Sequence, residues 1–334
     1  MAARILTTLH HISPDRLRER GQHDTAASLP WGDVDFVDPE AHGGPGLMRE
    51  LLRRAGDYDA FILNLSGRRE QLAAAMLRRL RPRLGLVLTD CTWKVESSMP
   101  ARIASRAGIR LMDGPRTRYC VLSSAEEALF PRTWGVSPER VAYTPWYVWL
   151  SVQEEALSTN RGGFVFAGGD SMRDYGSLIE AARELPMEVR IASYSGPPQG
   201  SEPPPNVSFG SLPPEQYFKT MCEASVVVVA LAADTERSAG QQSYLNPIAK
   251  GKLVVLNDTT GVRDYLRDRE TALIVPSGDP AALAQAIGWA LDPANADAVD
   301  RIADQGRREV RERFGLDRYV GQLVDLAGDV TRDL

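Results

Sequence analysis

Twelve short apolar runs recur along this chain, with segments of helical period between most of them, and no other feature constrains its fold as much. In the second half the runs are "GFVFAGG" (163–169), "EVRIASY" (188–194), "NVSFG" (206–210), "SVVVVAL" (225–231), "KLVVLND" (252–258) and "ALIVPS" (272–277). Several are continuous rather than alternating, the pattern of parallel strands covered on both faces. Between them, 175–185 sets Leu178, Ile179, Ala182 and Leu185 on one helical face and meets Pro186. Residues 213–224 open on prolines, and 279–291 carry Asp279 as N-cap with Pro280 at the first helical position.

The first half repeats the theme. Strands are expected at 4–10, 33–38, 59–65, 84–90, 118–124 and 141–146, with helices at 45–55 and 69–80. The fold class is therefore α/β, built as two doubly wound Rossmann-like domains. A length of 334 residues suits two such domains. The polar stretch "SVQEEALSTNRGG" (151–163) marks the join. We expect a domain over 1–150, a second over 151–314, and a C-terminal helix over 315–334 that packs back on the first domain. The Pro/Gly/Ser-rich stretch 195–206 reads as an extended surface loop.

Composition excludes several classes. The formal net charge is −5 and no block of like charges forms a tail, so nucleic acid is not an expected partner. "RRLRPRLG" (78–85) reads as the solvated end of a helix. Three widely spaced cysteines, Cys91, Cys120 and Cys222, form no CxxC pair and no disulfide framework. That usage points to free thiols and a cytoplasmic location. Cys120 and Cys222 sit in apolar runs as small core residues; Cys91 has nothing beside it in sequence to activate a nucleophile. No run approaches the ~20 apolar residues of a membrane span, which leaves peripheral membrane contact open. Neither HxH nor HExxH occurs, and no metal is expected. No G-x-G-x-x-G follows the first strand, which counts against a dinucleotide-dependent dehydrogenase.

Two stretches carry candidate chemistry. In "FVFAGGDSMRDYGSLIEAA" (164–182), Gly168 and Gly169 end a strand and allow close approach to the backbone. Asp174 caps the following helix, and Arg173 in the turn has the planar fork that grips a diphosphate. In "SAGQQSYLNPIAKGKLVVLNDTTGVRDYL" (238–266), glycine turns at Gly240 and Gly261 each precede a helix. Gln241, Gln242, Ser243 and Asn246 are uncharged groups suited to sugar or ribose hydroxyls. In the first half, His10 and His11 follow the first strand and Asp90 ends "LGLVLTD". Each is a candidate to take a proton from an acceptor hydroxyl. Trp93, Trp134, Trp146 and Trp149 are candidates to line an acceptor surface.

Taken in order, these motifs resemble the GT-B glycosyltransferases, and within them the family 4 group. The likeness rests on "GGDSMRDY", "FGSLPPEQYFKTMCEASVVVVAL" (209–231), "NPIAKGKLVVLND" (246–258) and "GVRDYLRDRETALIVPSGDPAALAQAI" (261–287). "YCVLSSAEEALFPRTWGVSPERVAYTPW" (119–146) is similar to the end of the family's acceptor domain. The resemblance implies two domains facing across a cleft, the second holding a nucleotide-sugar donor (a UDP-, GDP- or dTDP-sugar), with no cofactor required and no metal. It sets Arg173 at the donor diphosphate, the turn of Gly210, Ser211 and Leu212 at the base, and Gly240 with its polar neighbours at the donor sugar and phosphate. The family's paired glutamates eight apart are matched here by Ser238 and Asn246, and its glycine-rich loop after the first strand is replaced by "ILTTLHHISPDR". Retention follows from the family 4 likeness, whereas direct displacement assisted by a base would invert. The acceptor is a small molecule, a glycan or a lipid-linked sugar. Two other readings share the fold. One is a non-hydrolysing sugar-nucleotide epimerase, disfavoured because the second half has no histidine. The other is a degenerate transferase acting as a binding or scaffold protein.

Overall fold

The structure is a computed structural model that describes residues 3–65, 67–95, 97–233 and 237–332. It contains twelve strands: β1 (Ile5–Thr7), β2 (Val34–Phe36), β3 (Ala60–Asn64), β4 (Gly85–Thr89), β5 (Thr117–Val121), β6 (Val141–Tyr143), β7 (Phe164–Gly168), β8 (Glu188–Ala192), β9 (Val207–Gly210), β10 (Val226–Val229), β11 (Val254–Asp258) and β12 (Leu273–Pro276). Each falls on one of the apolar runs, with β5 beginning one residue ahead of its run. The chain divides into two compact units, residues to Pro145 together with those from Leu316, and Trp146–Gly315.

Each unit is built on one six-stranded sheet, ordered β2-β1-β3-β4-β5-β6 in the first and β12-β11-β10-β7-β8-β9 in the second. Every pairing is parallel. Hydrophobic pattern follows position in the sheet. Central β10 is four consecutive valines, all buried, whereas edge strand β9 alternates half-buried Val207 and Phe209 with exposed Ser208 and Gly210. The strand order reverses between β1 and β3 in the first sheet and between β7 and β10 in the second. Open α/β sheets bind ligands beyond the carboxyl ends of strands at such reversals.

The last helix, Leu316–Arg332, packs on β3 and β4 of the first unit. Gly85 makes this approach possible, since a Cβ there would fall 2.5 Å from Val330 Cγ2. In the second unit the end of "AKGKLVV" is fixed by Lys252. Its buried ammonium donates to the carbonyls of Asn160 (2.6 Å), Cys222 (3.3 Å) and Ala224. These include orphan carbonyls at the C-terminus of the helix Pro214–Glu223. Burial pushes its pKa down to about 8, so it keeps its proton at neutral pH.

Several local expectations change. Helices Met99–Met112, Ser124–Trp134 and Ala296–Arg313 were not foreseen. The segment foreseen as 175–185 is helical only over Tyr175–Ala182, and Leu185 is nonetheless buried. The arginine run 78–85 is not uniformly solvated. Arg78 is buried and donates to Pro82 O (3.0 Å), Arg116 O (2.9 Å) and Thr117 Oγ1 (3.0 Å), joining the end of one helix to the start of β5. Loop 195–206 is anchored at its end by Asn206, whose Nδ2 donates to the carbonyls of Ala182, Leu185 and Met187. Trp93 and Trp134 do not line a surface together; they pack with Tyr119 and Phe130 in one aromatic cluster. All three cysteines are free and buried. Burial pushes the Cys91 thiol well up and Cys120 up to about 12, which removes thiolate character from both.

Candidate functional site

The second unit contains a cavity of about 340 Å³ at the carboxyl ends of β7, β8 and β9. Its wall is formed by Gly169 and Asp170 after β7, Ser193 and Tyr194 after β8, Ser211 and Leu212 after β9, and Gln242, Ser243 and Asn246 of the helix Gln241–Ala249. Six residues singled out from the sequence for a donor therefore converge here: Gly169, Ser211, Leu212, Gln242, Ser243 and Asn246.

The turn after β7 is tied down by backbone hydrogen bonds, and its glycines admit close neighbours. The turn is clamped to the end of β10 by Asp174 N to Ala230 O (2.9 Å), Ala232 N to Met172 O (3.0 Å) and a bridge between Arg173 and Leu231. A Cβ on Gly168 would lie 2.4 Å from the Tyr217 ring, and one on Gly169 (φ +106°) would lie 2.5 Å from Arg173 Nη2. The space these glycines leave is thus filled by Tyr217 and by the Arg173 guanidinium, rather than being held open for a ligand.

Arg173 is consequently preset. Its Nε donates to Gly168 O (3.2 Å), Nη1 to Ser171 O (2.6 Å) and Nη2 to Ser243 Oγ (2.7 Å). A guanidinium has five N–H donors, so this scaffold leaves some for an anion. Ser243 lies in the first turn of the helix Gln241–Ala249, whose N-cap is Gly240 (φ +80°) and has no side-chain cap. Leading amides without a cap, together with the helix dipole, favour negative charge. By contrast, Asp174 caps the helix after β7 by accepting from Ser177 N at 3.0 Å, as its sequence position suggests.

The remaining sequence candidates play other parts. Ser238 and Gln241 are buried and do not line the cavity; Gln241 Nε2 has no hydrogen-bond partner among the described residues. Asn246 is 3% exposed, and its Oδ1 accepts from Trp149 N at 3.0 Å. Its acceptor is therefore engaged in holding the 146–150 segment against the helix. Sequence reasoning missed Asp170, Tyr194 and Tyr217 as cavity residues, and Trp149, expected at an acceptor surface, lines this cavity instead. Asp170 Oδ1 accepts from Ser193 Oγ (2.6 Å), Tyr194 N (2.9 Å) and Ser195 N (3.1 Å), tying the β7 turn to the β8 loop. The Ser193 hydroxyl and these amides hold its carboxyl below 3.8. Tyr194 is 79% exposed, an unusual exposure for an aromatic ring on a cavity rim. The only sequence signal for it was a tyrosine at a strand end.

In the first unit, His10 and His11 form a single turn of 3-10 helix directly after β1. They line a second cavity of about 230 Å³ with Thr8, Arg16, Arg20, Asp38, Asn64 and Glu70, at the β1/β3 reversal. His10 Nδ1 lies 3.3 Å from Asp38 Oδ2. Asp38 also caps the helix Pro39–Arg54 through Glu40 N (2.9 Å). Desolvation lowers the His11 pKa below 6.5, with Arg20 and His10 adding to the effect. Asp90 follows β4, is half-buried, accepts from Thr92 Oγ1 at 3.3 Å and has φ +57°. A non-glycine residue held there is a mark of functional or turn strain. It does not line the histidine cavity. Among the described residues no group of three or more His, Cys, Asp and Glu side chains is placed to hold a metal ion.

Comparison with known proteins agrees with this architecture. Residues 201–292, which run from before β9 through β12, match the family described as "Glycosyl transferases group 1". A glycosyltransferase from Rickettsia africae is similar over 100% of both chains, with a TM-score of 0.68 and 10% identity. HepE from Anabaena, solved in complex with UDP, is similar over 100% of both chains (TM-score 0.67, 14% identity). A sucrose-phosphate synthase from Thermosynechococcus elongatus gives 0.66 and 16% over the same coverage. Comparison with curated protein sequences finds no match. The two parallel sheets and these neighbours define the fold as GT-B, and the segment 201–292 is similar to the glycosyl transferases group 1 family. The family-matched segment lies in the second unit.

Proposed function

We propose that the protein transfers a sugar from a nucleotide-sugar donor to an acceptor hydroxyl, and that the 340 Å³ cavity of the second unit is the donor site. The observation that carries this reading is the preset Arg173 guanidinium hydrogen-bonded to Ser243 at an uncapped helix start. A diphosphate there meets a bidentate cation and backbone amides at once, and both stabilise the charge that builds on the leaving group. Because that charge is met by the protein, the reaction is metal-independent and needs no cofactor.

The nucleobase lies toward Tyr194, Ser211 and Leu212, where an exposed ring offers a stacking face. UDP is the favoured nucleotide because HepE, of the same fold, is solved with UDP and with UDP-glucose. GDP and dTDP are the alternatives. On the acceptor side His10, His11 and Asp90 are the candidate bases, and His10 is the best oriented because Asp38 holds its Nδ1. The acceptor is a small molecule, a glycan or a lipid-linked sugar. Three unpaired buried thiols suit a cytoplasmic location. No described helix is long and apolar enough to cross a membrane.

One observation favours a second reading. The Asn246 carbonyl oxygen already accepts from Trp149 N and the residue is 3% exposed, so one lone pair at most is left for a ribose hydroxyl. A degenerate transferase that binds a nucleotide without turnover would tolerate this. The deciding experiment is a thermal-shift panel with UDP, GDP, dTDP and ADP, with and without magnesium, followed by assay of sugar release from the matching donor. A ligand of the folded state raises the melting temperature. One nucleotide acting without magnesium, together with sugar release, supports the transferase. A shift without any release supports the binding protein, and no shift with any nucleotide refutes the donor site.

A further inference from the structure

The helix Met99–Met112, "MPARIASRAGIRLM", is exposed to a degree that its composition does not explain. Only Ile109 and Met112 are buried, and these fasten it to the first unit. Met99 and Ile103 stand 65% and 62% exposed, and Leu111 is 43% exposed. With Ala107 they are spaced four apart and so stack as one ridge along the solvent face. Arg102, Arg106 and Arg110, also four apart, form the adjacent ridge. The helix has three arginines and no acidic residue, in a chain of net charge −5. Arg106 is committed to Thr133 O at 2.8 Å, whereas Arg102 and Arg110 have no ion-pair partner among the described residues. The helix packs against Arg68–Leu80, which exposes Leu72 and Leu80 at 58% and 59%.

We propose that the exposed face of Met99–Met112 docks on an anionic lipid bilayer. An apolar ridge flanked by arginines, without a carboxylate, is the pattern of a helix lying in the plane of a membrane interface. The arginines meet lipid phosphates while Met99, Ile103 and Leu111 enter the boundary between headgroups and acyl chains. A second copy of this chain fits the surface less well. Two-fold pairing would bring the arginine ridge against its own symmetry mate with no acid to offset it. This surface is separate from the donor cavity, so the inference does not depend on the donor assignment.

The test is sedimentation of the full chain with vesicles of phosphatidylcholine alone and of phosphatidylcholine with about one third phosphatidylglycerol. Wild type is expected to pellet with the anionic vesicles only, and less as salt rises. The variants are Ile103→Glu and the pair Arg102→Glu with Arg110→Glu. All three positions are exposed, so melting temperatures should stay unchanged. Each arginine reversal should lower partitioning by at least about fivefold, and Ile103→Glu should lower it even with the arginines intact. Three results would overturn the proposal. One is no binding to either vesicle; another is binding that the variants leave unchanged. The third is a dimer in solution that Ile103→Glu dissociates, which would assign the face to a second copy.

Discussion

Replacing Arg173 by alanine should separate phosphate recognition from nucleoside recognition. The side chain already spends one N–H each on Gly168 O, Ser171 O and Ser243 Oγ. It is half-exposed, so water can take over these acceptors, and the fold should lose less than about 1 kcal/mol. The ligand loses more. Two charge-assisted hydrogen bonds to a diphosphate contribute roughly 3 kcal/mol together, which corresponds to about a hundredfold in Kd. Calorimetric titration with UDP and with uridine measures both halves. UDP binding should weaken by about two orders of magnitude in Arg173→Ala while uridine binding stays level. Arg173→Lys should fall between them, because a point charge replaces the planar fork. Equal losses for UDP and uridine would mean that the mutation distorts the cavity, and the reasoning would fail. An unchanged UDP affinity would refute it more simply.

Other expectations follow from the same geometry. Gly168→Ala would place a methyl 2.4 Å from the Tyr217 ring; the overpacking should cost about 1–3 kcal/mol in chemical denaturation. Lys252→Met leaves three carbonyls without their shared donor. It should destabilise by roughly 2–3 kcal/mol, and an unchanged melting temperature would rule out the clamp. The Asp170 carboxyl is held below 3.8, so its contribution to stability is present above that pH and fades as the pH falls through its folded-state value. The melting-temperature difference between wild type and Asp170→Asn should therefore be constant above about pH 5 and shrink in more acid solution. A difference that does not change with pH would show that the Ser193 and backbone contacts are indifferent to the charge.

The strands were legible because a parallel strand buried on both faces must be apolar along its length, as "SVVVVAL" is. The helices were less legible where that logic fails. Met99–Met112 buries only two side chains, so no core-facing stripe distinguishes it. Ser124–Trp134 contains Pro131 in its interior. Ala296–Arg313 does carry a core-facing stripe at helical spacing, Val299, Ile302, Ala303, Gly306 and Val310, but small Ala303 and Gly306 within it weaken the hydrophobic signal.

The site was legible where motif and geometry coincide. Arg173, Gly169, Ser243 and the Ser211–Leu212 turn all meet at one cavity or beside it. Tyr217 reaches that cavity from a distant part of the chain and no local pattern announces it, while Trp149 was picked out in the sequence for a different surface. The two glycines show the limit most clearly. Their lack of a side chain was visible in the sequence, but what fills the space was not. Tyr217 and the Arg173 guanidinium occupy it. The glycines therefore act indirectly, by letting the arginine seat.

The most direct test of the central claim is a structure of the protein with UDP bound. The account predicts the diphosphate within hydrogen-bond distance of Arg173 and of the leading amides of the helix Gln241–Ala249, with the uracil toward Tyr194 and Leu212. A nucleotide bound elsewhere, or a diphosphate that avoids Arg173, would contradict it.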